Sequence, residues 1–141
     1  MKLKLRGYVF SREFNGQRVP QHIQNIVIRD FCRSNNHDFL FSSVEYSIEN
    51  SYIILNEFLS FKDFSDGMVF YSLFQLPRDS LQRKIIYKKF LSKSKKLFFA
   101  QEDLSLNSLS VKNIEDIFLI KNTIKDCPKK QYLKLIKLGL N

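Results

Sequence analysis

Short apolar segments alternate with longer segments of helical periodicity along most of this chain. Between the apolar segments, apolar residues recur every three or four positions, which predicts amphipathic helices. The predicted strands are Leu5 to Ser11, Phe39 to Val44, Gly67 to Leu73 and Lys96 to Gln101, and the predicted helices are Pro20 to Asn36, Tyr52 to Phe61, Asp79 to Ser92 and Val111 to Lys125. This alternation predicts an α/β fold of three layers, with helices on both faces of a mostly parallel sheet of four strands, or of five.

Length and composition fit one domain. The chain has 141 residues, of which 44% are hydrophobic, and this is enough to form a core without metal or disulfide support. We expect one α/β domain over residues 1–128 and a short amphipathic C-terminal helix or tail over residues 129–141. Phe90, Leu91, Phe118 and apolar tail residues are spaced for a second contact surface, which predicts a homodimer. Packing of the tail on its own domain is the alternative.

The sequence also limits where the protein works and what it binds. No segment has the length of a membrane span, and the basic N-terminal residues are not followed by the apolar run of a signal peptide. Cys32, Cys127, His22 and His37 have no partners at metal-ligand spacing, so we expect no metal and no cofactor. We therefore expect a cytoplasmic protein with free thiols.

The net charge of +9 favours an acidic partner, such as nucleic acid, a phosphorylated small molecule or an anionic lipid surface. Many of the lysines lie in the C-terminal half of the chain, where the helical pattern places them on solvated faces. Most of the excess charge is therefore remote in sequence from the strongest candidate site, and nucleic acid is not the favoured partner.

That candidate site is the polar segment between the first strand and the first helix. In open α/β sheets, ligands bind where strand ends face helix starts. Arg12 and Arg18 lie in this segment and favour an anionic ligand, and Asn15-Gly16 predicts a turn with positive φ. With polar residues that follow the other strands, the expected ligand-binding set is Arg12, Asn15, Arg18, Gln21, Ser72 and Arg78. The expected catalytic candidates are the hydroxyls of Ser11 and Tyr71 and the carboxylate of Glu45.

The order of elements resembles the catalytic domain of serine recombinases. Gly7-Tyr8 is similar to that family's first strand, and Gln24 to a glutamine on its first helix. Asp66 opens the third strand as it does there, and Arg78 stands where the recombinases keep an arginine. The resemblance implies a recombinase-like or flavodoxin-like fold over roughly residues 5–105.

The residues that perform recombinase chemistry are replaced. In straight register from the first strand, the family's nucleophilic serine falls on Arg12. Ser11 is one residue out of phase, which turns a strand side chain to the opposite face. The arginine and aspartate of the third-strand motif fall on Ser72 and Phe74. The resemblance therefore implies the fold with its active site lost, and no DNA strand exchange.

A closer resemblance is to the small proteins of the sporadic carbohydrate cluster family. It begins with Tyr8-Val9-Phe10-Ser11-Arg12, Phe14-Asn15-Gly16 and Arg18-Val19-Pro20-Gln21-His22. It continues through Ile28-Arg29-Asp30-Phe31-Cys32, Glu45-Tyr46, Asp66-Gly67, Tyr71-Ser72-Leu73-Phe74, Leu76-Pro77 and Glu115-Asp116-Ile117. The family is associated with gene clusters for cell-surface polysaccharide synthesis. The resemblance implies a cytoplasmic role in making or modifying a surface sugar.

These observations lead to three hypotheses. The first is a small enzyme that binds or modifies an anionic sugar, which is a sugar phosphate, an acidic sugar or a nucleotide sugar. The second is a non-catalytic binding or scaffold protein of the same pathway, and the third is a basic nucleic-acid-binding module without recombinase activity. A deep polar pocket at the strand ends would favour the first, a flat apolar patch there the second, and a continuous basic stripe the third.

Overall fold

A computed structural model describes residues 2–61 and 63–126. Within these residues the elements are β1 (Lys4–Val9), α1 (Gln21–Ser34), β2 (Asp38–Val44), α2 (Ile53–Ser60), β3 (Gly67–Phe70), α3 (Ser80–Ser92), β4 (Lys96–Phe99), β5 (Leu104–Ser105) and α4 (Ser110–Asp126). A 3-10 turn, Leu73–Gln75, lies between β3 and α3. The predicted α/β fold is confirmed, and each predicted strand and helix lies close to its expected position.

The strands form one sheet in the order β2-β1-β3-β4-β5. The first four strands are parallel, and the short β5 returns antiparallel to β4. In this order the chain moves from β1 to β2 on one side and then crosses over to β3 on the other. The loops that follow β1 and β3 therefore leave the sheet side by side, at the kind of switch point where open α/β sheets bind ligands.

Helices cover both faces of the sheet. By the strand register, the side chains of Arg6 and Phe98 project to opposite faces. Phe98 contacts Phe31 of α1, with ring centroids 5.6 Å apart. Arg6 lies 5.7 Å from the ring of Phe58 of α2, and that ring contacts Phe90 of α3. Helix α1 therefore covers one face, and α2 and α3 cover the other.

Three strands, β1, β3 and β4, are shorter than predicted, and side-chain hydrogen bonds give the reason for β1 and β3. The side-chain amide of Gln24 forms hydrogen bonds with both the backbone N–H and the carbonyl oxygen of Phe10, so the strand pairing of β1 ends at Val9. After β3, the side chain of Ser72 accepts from the backbone N–H of Phe74 and starts the 3-10 turn. In both places a polar side chain offers the backbone an alternative to strand pairing.

The described residues fall into two compact units. The first comprises the described residues up to Ser108 and contains the sheet with α1, α2 and α3, and the second begins at Leu109 and contains α4. The predicted boundary at residue 128 and the predicted tail lie outside the described residues. Phe90 was expected on a dimer surface, but this is wrong, because its side chain is fully buried within one chain, where its ring contacts that of Phe58 in α2. Self-association remains a prediction.

Cys32 is a buried free thiol, and burial raises its pKa to about 11. Cys127 lies outside the described residues. The Nδ1 atom of His37 accepts a hydrogen bond from the backbone N–H of Leu3 at 3.2 Å, which is a structural contact. In the part of the chain that the structure describes, no helix is both long and apolar enough to cross a membrane.

Gly67 is required where β3 meets β4. A Cβ atom added there would lie 2.2 Å from the carbonyl oxygen of Lys96, which is backbone and cannot rotate away. We expect Gly67→Ala to lower the free energy of unfolding by roughly 1–3 kcal/mol. Gly16→Ala is the control, because nothing lies within 4 Å and only its φ of +70° opposes the change. Urea denaturation that ranks Gly16→Ala as the more damaging variant would contradict this account.

Candidate functional site

A pocket of about 410 Å³ lies at the carboxyl edge of the sheet. Its walls come from the loops that follow β1, β2 and β3, at the switch point described above. It is lined by Phe10, Arg12, Glu13, Phe14, Asn15, Arg18, Ser47, Glu49, Asn50, Tyr52, Phe74, Leu76 and Arg78. We call it the arginine pocket, after the three arginines in its lining.

The first wall is shaped by a small hairpin in the loop after β1. Asn15 and Gly16 both have positive φ, 54° and 70°, so the predicted turn is confirmed. Phe14 and Gln17 exchange two backbone hydrogen bonds of 2.9 Å, which is the geometry of a two-residue turn closed by an Asn-Gly pair. Because the hairpin folds back on itself, Arg12 and Arg18 line the same pocket although five residues separate them.

A buried glutamine side chain holds both ends of that loop. The Nε2 group of Gln24 donates to the carbonyl oxygens of Phe10 and Val19, each at 2.8 Å. Its Oε1 atom accepts from the N–H of Phe10 and from the Nε2 group of Gln75 at 2.9 Å. Gln24 and Gln75 are both fully buried, so these bonds are shielded from water. The amide pair therefore joins the β1 loop to the turn that follows β3.

The same turn supports the floor of the pocket. The side-chain Oε1 atom of Gln75 accepts a hydrogen bond from the N–H of Ser72. The backbone carbonyl oxygen of Gln75 accepts a hydrogen bond from the hydroxyl of Tyr52 at 3.0 Å. Burial raises the pKa of Tyr52, although the charge of Arg12 opposes this, so the hydroxyl stays protonated and continues to donate. All three loops are thus connected through Gln75.

Arg12 is the most firmly held of the three arginines. Its Nη1 group donates to the carbonyl oxygens of Tyr46 and Ile48 at 3.0 and 3.3 Å. Its guanidinium carbon lies 4.2 Å from the ring centroid of Phe10 and 4.9 Å from that of Tyr52, within range of cation–π attraction. Its Nη2 atom is buried without a hydrogen-bond partner among the described residues. An acceptor from a bound anion would satisfy that donor.

The other two arginines are exposed. Among the described residues, no hydrogen bond or ion pair engages the guanidinium of Arg18 or of Arg78. Glu13 and Glu49 also line the pocket, so three positive charges face two negative ones. The arrangement can attract an anion and can also accept hydrogen bonds from neutral groups of the same ligand.

The structure brings together four of the six expected ligand-binding residues. Arg12, Asn15, Arg18 and Arg78 line the arginine pocket, whereas Gln21 and Ser72 do not. Ser72 is buried, and its hydroxyl donates to Oε2 of Glu102 at 2.7 Å while accepting from the N–H of Phe74. This bonding stabilises the start of the 3-10 turn and leaves Ser72 in a structural role.

Glu45 has a different position from the one expected of a catalytic carboxylate. It is buried, and its Oε1 atom accepts from the hydroxyl of Tyr8 at 2.8 Å and from the N–H of Leu55. Its Oε2 atom accepts from the N–H groups of Tyr46 and Ile54. Burial and the Glu45 charge raise the pKa of Tyr8, which keeps that hydroxyl a donor. Glu45 therefore caps the N-terminus of α2 and does not line the pocket.

The two hydroxyl candidates also lie outside the pocket lining. The Oγ atom of Ser11 is 2.7 Å from the Oγ atom of Ser47, which does line the pocket. Tyr71 is buried, with its ring edge-on to that of Phe14 at 5.9 Å. Ser11 is therefore hydrogen-bonded to a lining residue, Ser47, and the ring of Tyr71 packs against Phe14 of the hairpin.

The sequence reasoning missed the wall that follows β2, which contributes Ser47, Glu49, Asn50 and Tyr52. A signal was present, because these residues form a polar segment directly after a predicted strand end. The rule that pointed to Arg12 applies equally to this loop. Within residues 2–61 and 63–126, no group of three or more His, Cys, Asp or Glu residues comes together to hold a metal ion.

Comparison with solved structures supports the assignment of the fold. No family model matches the chain, and no curated protein matches it. The structure is similar to the crystal structure of a resolvase family site-specific recombinase from Streptococcus pneumoniae, with a TM-score of 0.60 and 13% identity over 86% of this chain and 89% of that one. The fold is therefore resolvase-like. At this identity the likeness extends to the fold alone, and the carbohydrate-cluster resemblance remains a prediction.

Removing the Glu45 carboxylate should destabilise the protein. In Glu45→Ala the Tyr8 hydroxyl is left buried without its acceptor and α2 loses its cap. We expect the free energy of unfolding to fall by roughly 2–3 kcal/mol. Glu49→Ala, at an exposed position four residues away, should leave stability unchanged. Equal stability of the two variants in urea denaturation would refute the capping role.

Proposed function

We propose that this protein binds an anionic sugar in the arginine pocket and acts in the cytoplasm in making or modifying a cell-surface polysaccharide. The ligand class comprises sugar phosphates, acidic sugars and nucleotide sugars. The anion half of the proposal rests on the three arginines that converge on one pocket. The sugar and its pathway rest on the resemblance to the carbohydrate-cluster family.

The arginines are prepared for an anion in two ways. Arg12 is held in place by carbonyl oxygens and aromatic rings, and its Nη2 donor is unpaired. Arg18 and Arg78 carry charges that no described residue neutralises by contact. Guanidinium groups match the oxygens of phosphates and carboxylates, and each charge-assisted hydrogen bond contributes roughly 1.5–3 kcal/mol.

The rest of the lining suits a sugar better than a bare anion. Glu13 and Glu49 supply carboxylate oxygens that accept hydrogen bonds from hydroxyl groups. A sugar has many such hydroxyl donors, whereas inorganic phosphate at neutral pH has few. Asn15 and Asn50 supply amides that both donate and accept. A polyhydroxylated ligand with an anionic group would satisfy both kinds of partner in this pocket.

The reaction, if the protein is an enzyme, would fall to Glu13 or Glu49, the carboxylates that line the pocket. A non-catalytic binding protein of the same pathway is the second candidate. It is favoured by one observation, which is that both carboxylate oxygens of Glu45 are occupied by hydrogen bonds from Tyr8, Tyr46 and the N-terminus of α2. Product formation from a bound nucleotide sugar or sugar phosphate distinguishes the two.

Binding should depend on the exposed arginines. We expect Arg18→Ala and Arg78→Ala each to weaken binding of a sugar phosphate about tenfold, since each removes one charge-assisted contact. Arg33→Ala is the matched control, because Arg33 is an exposed arginine on α1 that pairs with Asp30 and lies outside the pocket. Calorimetric titration that gives all three variants the wild-type affinity would overturn the anion site.

DNA cleavage should be absent. Arg12 occupies the register of the recombinase nucleophile, and the Ser11 hydroxyl is paired with that of Ser47. We expect no covalent adduct when the protein is incubated with supercoiled plasmid and separated on a denaturing gel. An adduct that appears with the wild type and disappears in Ser11→Ala would contradict this.

A further inference from the structure

A second pocket, of about 560 Å³, adjoins the arginine pocket. The two share Glu49, Asn50 and Tyr52 in their linings, so they form adjacent parts of one cleft. Four isoleucines line the second pocket, and we call it the isoleucine pocket: Ile48, Ile53, Ile85 and Ile86. Each of the two pockets has a volume within the usual range for small-molecule sites.

The isoleucine pocket combines apolar and polar residues in its lining. Its isoleucines and Pro77 supply apolar contact, while Asn56 and Gln82 supply amides and Lys89 supplies an ammonium group. Ser51 is only 8% exposed, and its Oγ atom has no hydrogen-bond partner among the described residues. Buried hydroxyls are normally paired, so this one marks a place where a ligand group supplies the missing bond. The pocket therefore suits a flat ring that is apolar on its faces and polar at its edge.

We propose that the two pockets together bind a nucleoside diphosphate, or the nucleoside diphosphate part of a nucleotide sugar. This rests on the proposed function and selects one ligand class within it. The diphosphate lies against Arg12, Arg18 and Arg78, and the nucleoside occupies the isoleucine pocket. Glu49, in the lining that the pockets share, accepts from a hydroxyl between the two parts.

Other anionic ligands would use only part of this cleft. A simple sugar phosphate is short enough to fit the arginine pocket alone and would leave the isoleucines in water. A lipid diphosphate would cover the isoleucines but would leave the buried hydroxyl of Ser51 without a hydrogen bond, which is unfavourable for a buried polar group. A nucleobase offers both apolar faces and hydrogen-bonding groups.

The test compares ligands that share the anion and differ in the nucleoside. Calorimetric titrations would use uridine, cytidine, adenosine and guanosine diphosphates, inorganic pyrophosphate, glucose 1-phosphate and a short-chain isoprenyl diphosphate. We expect at least one nucleoside diphosphate to bind ten or more times as tightly as pyrophosphate. A lipid diphosphate that binds more tightly than every nucleotide would overturn the proposal.

Variants of the isoleucine pocket test whether this pocket is responsible for the higher affinity for the nucleotide than for pyrophosphate. The double variant Ile53→Ser with Ile85→Ser should reduce the preference for the nucleotide over pyrophosphate at least fivefold while leaving pyrophosphate affinity unchanged. Ile53 and Ile85 are 51% and 54% exposed, so their replacement should leave the core intact. Ile26→Ser is the matched control, since Ile26 is 58% exposed and lines neither pocket.

The outcomes separate this inference from the function on which it rests. If pyrophosphate and all nucleotides bind equally tightly and Arg78→Ala weakens both, the anion site stands and the nucleoside subsite is refuted. If the nucleotide preference is unchanged in the double variant, the assignment of the nucleoside to the isoleucine pocket is refuted. If no anion in the series binds, both proposals fail.

Discussion

The hydrogen bond between the buried amides of Gln24 and Gln75 is the interaction on which the candidate site depends. It joins helix α1 to the turn after β3, across the switch point of the sheet. Through its other bonds, Gln24 closes the loop after β1, and Gln75 supports Tyr52 beneath Arg12. A buried amide must find partners for its donors and acceptors, so this pair specifies one arrangement of the loops in a way that an apolar contact would not.

The polar side chains at the carboxyl edge of the sheet fall into two sets. One set is buried and stabilises the fold, and the other is exposed. Glu45 and Ser72 are buried, and each accepts a hydrogen bond from a backbone N–H at the start of a helical turn. Arg18 and Arg78 are exposed and form no ion pair with an acidic side chain in the described part of the chain. Charge that is not used for folding is available to a ligand, and this contrast supports the proposal that the arginine pocket binds an anion. Arg12 belongs to both groups, because carbonyl oxygens hold one of its nitrogens and leave another unpaired.

The residues that sequence reasoning placed correctly share one property, which is that local rules decide their position. Asn15-Gly16 forms a turn because positive φ is accessible to that pair, and Arg12 and Arg18 follow a strand end whatever the rest of the chain does. The role of Glu45 could not be predicted from such local rules. Its partners include Tyr8 of β1, 37 residues away along the chain, and only the parallel pairing of β1 with β2 brings them together. Gln75 likewise reaches Gln24 across 51 residues.

The amino-acid sequence alone determined the α/β class, the approximate positions of the strands and helices, and a turn-forming loop with two arginines after the first strand, because hydrophobic periodicity and turn chemistry are local properties. The tertiary structure alone decided which polar groups at the sheet edge are buried and which remain free to bind. It also decided that the loop after β2 completes the arginine pocket and that an apolar pocket adjoins it. These features depend on strand order and on contacts between residues remote in the chain. The burial of Glu45, whose carboxylate caps α2, exists only in the folded molecule.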